Sequence, residues 1–166
     1  PSLVRFYERI EPLAGSPKLG PMLWQLPATF RRDDERLATA LSALPAGRHA
    51  FEFRHDSWFA DEVYELLERH GAALVVADRA PRGASPVVPT AGWWYLRFHV
   101  GRGREGAYTT RQLEEWASRI EALEGDVFAY FNNDWRGFAL RDAARLRELL
   151  GEPAPPRGGL VEAVHR

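Results

Sequence analysis

Five short apolar runs alternate with helical periodicities along this chain, and that alternation limits its fold more than any other feature. The runs are "MLWQL" (22–26), "HAFEFRH" (49–55), "AALVVAD" (72–78), "GWWYLRFHV" (92–100) and "DVFAYFNN" (126–133). Between and around them lie segments whose apolar residues recur at helical spacing. The first, "LVRFYERIEPL", places Leu3, Phe6, Tyr7, Ile10 and Leu13 on one stripe. "RRDDERLATALSALP" predicts a helix with Asp33 as N-cap, a stripe of Leu37, Leu41 and Leu44, and Pro45 as its stop. "DEVYELLERHG" puts Val63, Leu66 and Leu67 inward and ends at Gly71. "TTRQLEEWASRIEALEG" opens with Thr109 three residues before Gln112, the spacing of a capping box. "FALRDAARLRELLG" supplies the last helix. Strands separated by crossover helices run parallel. Strands apolar on both faces fit a sheet covered on both sides. The architectures left are a doubly wound sheet and part of a (β/α)8 barrel.

A closed barrel needs eight strands and at least ~200 residues. The chain has 166 residues, and five strand runs account for five of the eight units. The expectation is an α/β fold of parallel TIM-barrel type, incomplete, over residues 1–151. A Pro/Gly-rich tail follows at 152–166 and reads as flexible. The opening Pro1 and the helix directly behind it read as the middle of a domain, with three strand units wanting at the front.

Side chains alternate along a strand, so parity decides which residues share a face. Tyr95, Arg97 and His99 share one face of the fourth run, while Trp94, Leu96 and Phe98 make the other wholly apolar. The second run pairs Glu52 with Arg54, and the first ends at Gln25. The third aligns Leu74, Val76 and Asp78, and the fifth Phe128, Tyr130 and Asn132. Each run carries its polar side chains near its C-terminal end. Parallel strands deliver those ends to one rim, where α/β folds place their sites. Gln25, Glu52, Arg54, Asp78, Arg97, His99 and Asn132 are therefore expected to converge. His55 and Asn133 sit just past their strands and join the candidate rim. Beside this reading stands a structural one, in which Glu52 simply pairs with Arg97 in the interior. Trp58 serves equally as a lid or a core anchor, and Asp134 reads as a helix cap.

Several chemistries fall away. There is no cysteine, which removes disulfides, thiolate zinc sites and cysteine nucleophiles. No dinucleotide fingerprint, P-loop or Gly-x-Ser-x-Gly elbow occurs. A net charge of -1 offers no global basic field for nucleic acid or an anionic membrane. No apolar run is long enough to span a bilayer, and the expected location is the cytoplasm. What remains is a small-molecule site. Arg54 and Arg97 would fix a phosphate or carboxylate, with Gln25, His55, Asn132 and Asn133 as further binding groups. Glu52, Asp78 and His99 are the candidate acid/base groups, His99 foremost by its intrinsic pKa. The expected substrate is small and anionic or polyhydroxylated, like a sugar or a phosphate. Three alternatives stand. Glu52, Asp78 and His99 can surround a divalent metal in a hydrolase or isomerase, although two arginines nearby would repel the ion. Aromatics with arginines can clamp a nucleic-acid strand. The mouth can also bind a ligand without turning it over.

The motifs "FEFRHDSWF", "WYLRFH", "VFAYFNND" and "KLGPMLWQLPATF" together resemble the domain of unknown function 72, the YecE-like family. The family's Glu-x-Arg…Ser-Trp strand end matches Glu52, Arg54, Ser57 and Trp58. Its Tyr-x-Arg-x-His strand matches Tyr95, Arg97 and His99. Its Tyr-Phe-Asn-Asn segment matches Tyr130, Phe131, Asn132 and Asn133. The likeness covers about residues 3–150 and implies a TIM-type barrel. This chain lacks the family's Gly-Thr-Ser-Gly-Trp-like first strand and two further strand units. It also has Val100 where the family often has glycine, and Asp142 with Ala143 where the family tends to Asn-Ala. The resemblance implies a fold and a site, and no reaction.

Overall fold

The computed structural model describes residues 2–153 apart from 15, 17, 80 and 82. The tail expected to be flexible lies outside the described residues from 154 onward. Five helices, α1 (Ser2–Ala14), α2 (Asp34–Ala43), α3 (Asp61–Arg69), α4 (Thr110–Glu121) and α5 (Phe138–Leu149), alternate with strands. The strands are β1 (Met22–Gln25), β2 (His49–Glu52), β3 (Ala73–Arg79), the two-residue β4 (Gly83–Ala84), β5 (Trp93–Val100) and β6 (Asp126–Phe131). The five longer ones lie in the order β1-β2-β3-β5-β6, every neighbouring pair parallel. The helix ends follow the sequence signals. Asp33 accepts from the Arg36 amide at 3.0 Å and caps α2. Thr109 and Gln112 form the full capping box of α4. Gly71 turns the chain out of α3 at φ +60, a conformation glycine adopts without strain. Among the described residues no helix is long and apolar enough to cross a membrane.

The sheet is curled into a half-barrel. In a flat sheet β2 and β6 would lie three strand spacings apart, about 14 Å. Yet Arg48, just ahead of β2, pairs with Asp126 at the start of β6 at 2.6 Å. The Arg48 guanidinium also lies 5.0 Å from the Phe128 ring centre, crossing the concave face. The two faces differ in the size of their side chains. The concave face takes Ala50, Ala73, Val75 and Ala77, with Trp93 and Tyr95 beside them. The convex face takes larger groups under the helices. Phe51, Phe53 and Leu74 pack against Leu37, Leu41, Val63 and Leu67, and Val76, Leu96 and Phe98 against Leu113, Trp116 and Leu146. Burying that apolar area contributes roughly 25 cal/mol per Å2 and holds α2 to α5 against the sheet.

The short β4, not expected from the sequence, splits the sheet at its C-terminal edge. It turns back antiparallel onto Asp78 and Arg79. β2 follows β3 only at Ala50 and Phe51. Above that point the returning loop satisfies the β3 backbone instead. The Ser85 hydroxyl accepts from the Ala77 amide at 2.9 Å and donates to the Val75 carbonyl at 3.1 Å. Below it, Thr90 serves Leu74 and Ala72 in the same way. β2 and β3 are thereby wedged apart where their polar ends emerge, beneath a cavity of about 250 Å3 bordered by Arg54, Arg79 and Ser85.

Candidate functional site

Glu52 ends β2 on the concave face and is completely buried, at 0% exposure. Three guanidiniums converge on its carboxylate. Arg97 from β5 donates through Nη1 to Oε2 at 2.5 Å. Arg54 reaches Oε1 at 3.4 Å, and Arg79 from the end of β3 donates to the same oxygen. A buried carboxylate without partners costs several kcal/mol, so these cations are what allows Glu52 to sit there.

Gln25 and Asn132 extend the network to both edges of the sheet. The Gln25 Oε1 accepts from Arg54 at 2.6 Å and from Arg97 at 3.0 Å. The Asn132 Oδ1 accepts from Arg97 Nε at 3.0 Å. Guanidinium only donates, so both amides turn their oxygens toward arginine and their NH2 groups elsewhere.

His99 stands beside Glu52, with Nε2 3.5 Å from Oε1, yet that nitrogen makes no hydrogen bond among the described residues. It is the residue at which the β3–β5 register slips, for Arg79 pairs with Val100 and skips His99. Such slips re-aim a side chain. Burial pushes the His99 pKa down to about 4, and the positive charges of Arg79, Arg97 and Arg54 add to the effect. His99 is therefore neutral near pH 7, with one ring nitrogen free to take a proton. Burial likewise lowers the pKa of Arg97 and pushes that of Tyr95 up to about 12.

Of the residues expected at the rim, the structure gathers Gln25, Glu52, Arg54, Arg97, His99 and Asn132. Three others go elsewhere. Asp78 faces the convex side, where its carboxylate accepts from the Trp116 indole of α4 at 2.8 Å. Asn133 is buried and donates to Asp142 of α5 at 2.6 Å. His55 closes a tight turn, its Nδ1 2.8 Å from the Ser57 hydroxyl. Trp58 is a core anchor, 1% exposed, stacked on Phe53 at 4.7 Å and bonded to the Phe30 carbonyl. Asp134 caps nothing with its side chain, and α5 starts from Gly137.

Arg79 takes the position expected of Asp78. Parity alone cannot choose between them, because both faces of β3 are apolar up to its end. Side-chain size was the available signal. Ala73 and Ala77 suit the narrow concave side and share their face with Arg79. The proposed metal trio of Glu52, Asp78 and His99 is consequently split between two faces. Among the described residues no group of three His, Asp or Glu side chains is placed to hold a metal ion.

Residues 1–160 match a family model described as "Protein of unknown function DUF72". A DUF72 family protein from Thermotoga maritima superposes with a TM-score of 0.78 at 28% identity, over 90% of this chain and 65% of that one. A DUF72 family protein from Enterococcus faecalis gives 0.78 at 21% identity, over 93% of this chain and 68% of that one. This chain thus spans 65% of the length of the Thermotoga maritima protein. No curated protein sequence matches it.

Proposed function

The chain belongs to the DUF72 family of proteins of unknown function, and from that premise we propose that the mouth of its half-barrel binds a small oxyanion. The observation that carries this reading is the imbalance around Glu52. Arg54 and Arg97 both direct their ion pairs among the described residues to this one carboxylate. A single negative charge cannot offset two guanidiniums. The Glu52 oxygens are already taken up by arginine. The Gln25 and Asn132 amides present NH2 donors, since their oxygens are bound. A ligand suited to such a mouth is rich in acceptors and negatively charged, a phosphate ester or a carboxylate.

If the ligand is turned over, His99 is the group equipped to act. It is neutral in the resting site, so its first move is to accept a proton from a C–H or O–H next to the bound anion. The incoming negative charge would raise the His99 pKa and aid that transfer. Glu52 is a positioning residue in this scheme, holding the guanidiniums rather than exchanging protons. Asp78 and Asn133, on the far side of the sheet, take no part.

The test is thermal melting in chloride buffer with added inorganic phosphate, sulfate and small carboxylates at constant ionic strength. A ligand that binds only the folded chain raises Tm. Millimolar phosphate should do so, and both Arg97→Lys and Arg54→Gln should weaken the effect. The proposal fails if no oxyanion shifts Tm beyond chloride, or if both variants respond like the parent.

A further inference from the structure

We propose that the bound oxyanion is carried on a flat ring and that this ring lies on Tyr130. The inference rests on the oxyanion reading above and narrows it to a class of ligand. Tyr130 belongs to β6, on the concave face, directly in register with Arg97 of β5. It is 37% exposed, although the Tyr95 beneath it is 5% exposed. The two rings stack at 4.8 Å with planes 21° apart. One face of Tyr130 is thus covered, so its exposure falls on the opposite face and the ring edge. Gly20 lies near the hydroxyl end, where a side chain would begin 3.5 Å from the oxygen. The result is a ring backed on one face by Tyr95 and more than a third open to solvent.

That platform adjoins the donor cluster. The Arg97 guanidinium is drawn toward Asn132 by the bond to Oδ1, and Asn132 lies two residues beyond Tyr130 on the same side. Two residues along a strand are about 7 Å, so anion and platform lie side by side and not on top of each other. A molecule whose charge projects from the edge of its ring fits both at once. Aromatic faces favour offset stacking with such a ring, and the guanidiniums then need reach only the anion.

Isothermal titration with inorganic phosphate, phenyl phosphate and butyl phosphate tests this. Butyl phosphate adds apolar area without a ring. Phenyl phosphate should bind up to about tenfold more tightly than either of the others, the range of one aromatic pair. Tyr130→Ala should bring phenyl phosphate down to the level of butyl phosphate, whereas Tyr130→Phe should keep the advantage. Should alanine unsettle the edge strand, Tyr130→Val preserves strand preference and serves the same purpose. If inorganic phosphate binds but phenyl phosphate gains nothing over butyl phosphate, the ring inference is wrong and the oxyanion site stands. The ring inference is overturned in the same way if Tyr130→Ala and Tyr130→Val retain the gain. If none of the three phosphates binds, both readings fall.

Discussion

Replacing Glu52 with glutamine keeps the shape of the side chain and removes its charge. In the parent that charge is fully buried and contacts Arg54, Arg79 and Arg97. Without it, three guanidiniums face one another across a neutral amide. Removing one partner from a buried ion pair costs about 3–5 kcal/mol. The arginines are not all equally enclosed. The Arg54 and Arg79 side chains are 33% and 29% exposed, against 14% for Arg97. The first two can swing partly into water, so the cost should fall near the lower end, about 3 kcal/mol. For a chain of this size that lowers Tm by roughly 6–12 °C. Urea unfolding should show the same loss as a shift in midpoint at constant slope. The diagnostic result is the response to phosphate. An oxyanion in the mouth replaces the missing counter-charge, so phosphate should stabilise Glu52→Gln more than the parent. The reasoning is refuted if the variant lies within about 1 kcal/mol of the parent in low-salt chloride, close to the range of ordinary surface substitutions. It is equally refuted if phosphate stabilises both proteins alike.

Two further predictions separate the parts of the network. The His99 pKa is about 4 in the folded chain against 6.5 for an unperturbed histidine. Between those values the unfolded chain binds the extra proton, so stability is lost as pH falls from about 6.5 toward 4. The full loss is about 3 kcal/mol, and His99→Gln should flatten that part of a urea-midpoint profile; an unchanged profile would contradict the assignment. Asp78→Ala leaves the buried Trp116 indole without its acceptor and should cost about 1–3 kcal/mol. Because Asp78 faces α4, calorimetry should find phosphate affinity unchanged, and a parallel fall in affinity would return Asp78 to the site.

The order of elements, the parallel pairing and the caps at Asp33 and Thr109 were all legible in the sequence, because each rests on local periodicity or a short side-chain bond. So was most of the polar cluster around Glu52. In β2 and β5 one face is polar and the other apolar, so Glu52 with Arg54 and Arg97 with His99 assign themselves to the mouth. β3 defeats the same rule, since Leu74 and Val76 are no more apolar than Val75 and Ala77. A charged residue ends each parity, and only curvature decides which one points inward. Asn132 and Asn133 both lie beyond the end of β6, and the second turns its side chain to Asp142. β4 escaped because two residues are too few for a period. Its pairing is fixed by the return of the loop through Ser85 and Thr90, a tertiary effect.

Glu52 and Asp78 show how far residue type alone falls short of function. Both are carboxylates at the C-terminal ends of neighbouring parallel strands, and both are buried. Asp78 meets an indole N–H from a helix and a tyrosine over its own carbonyl. These are neutral partners, and the bond they make fastens α4 to the sheet. Glu52 meets the guanidiniums of Arg54 and Arg97, two positive charges against its one, with the neutral His99 ring beside them. A closed structural network would match its charges, because surplus buried charge is costly. The surplus is on the concave side, next to a neutral histidine and a partly exposed tyrosine. Neutral hydrogen-bond donors on one face and converging guanidiniums on the other is the contrast on which the oxyanion proposal rests.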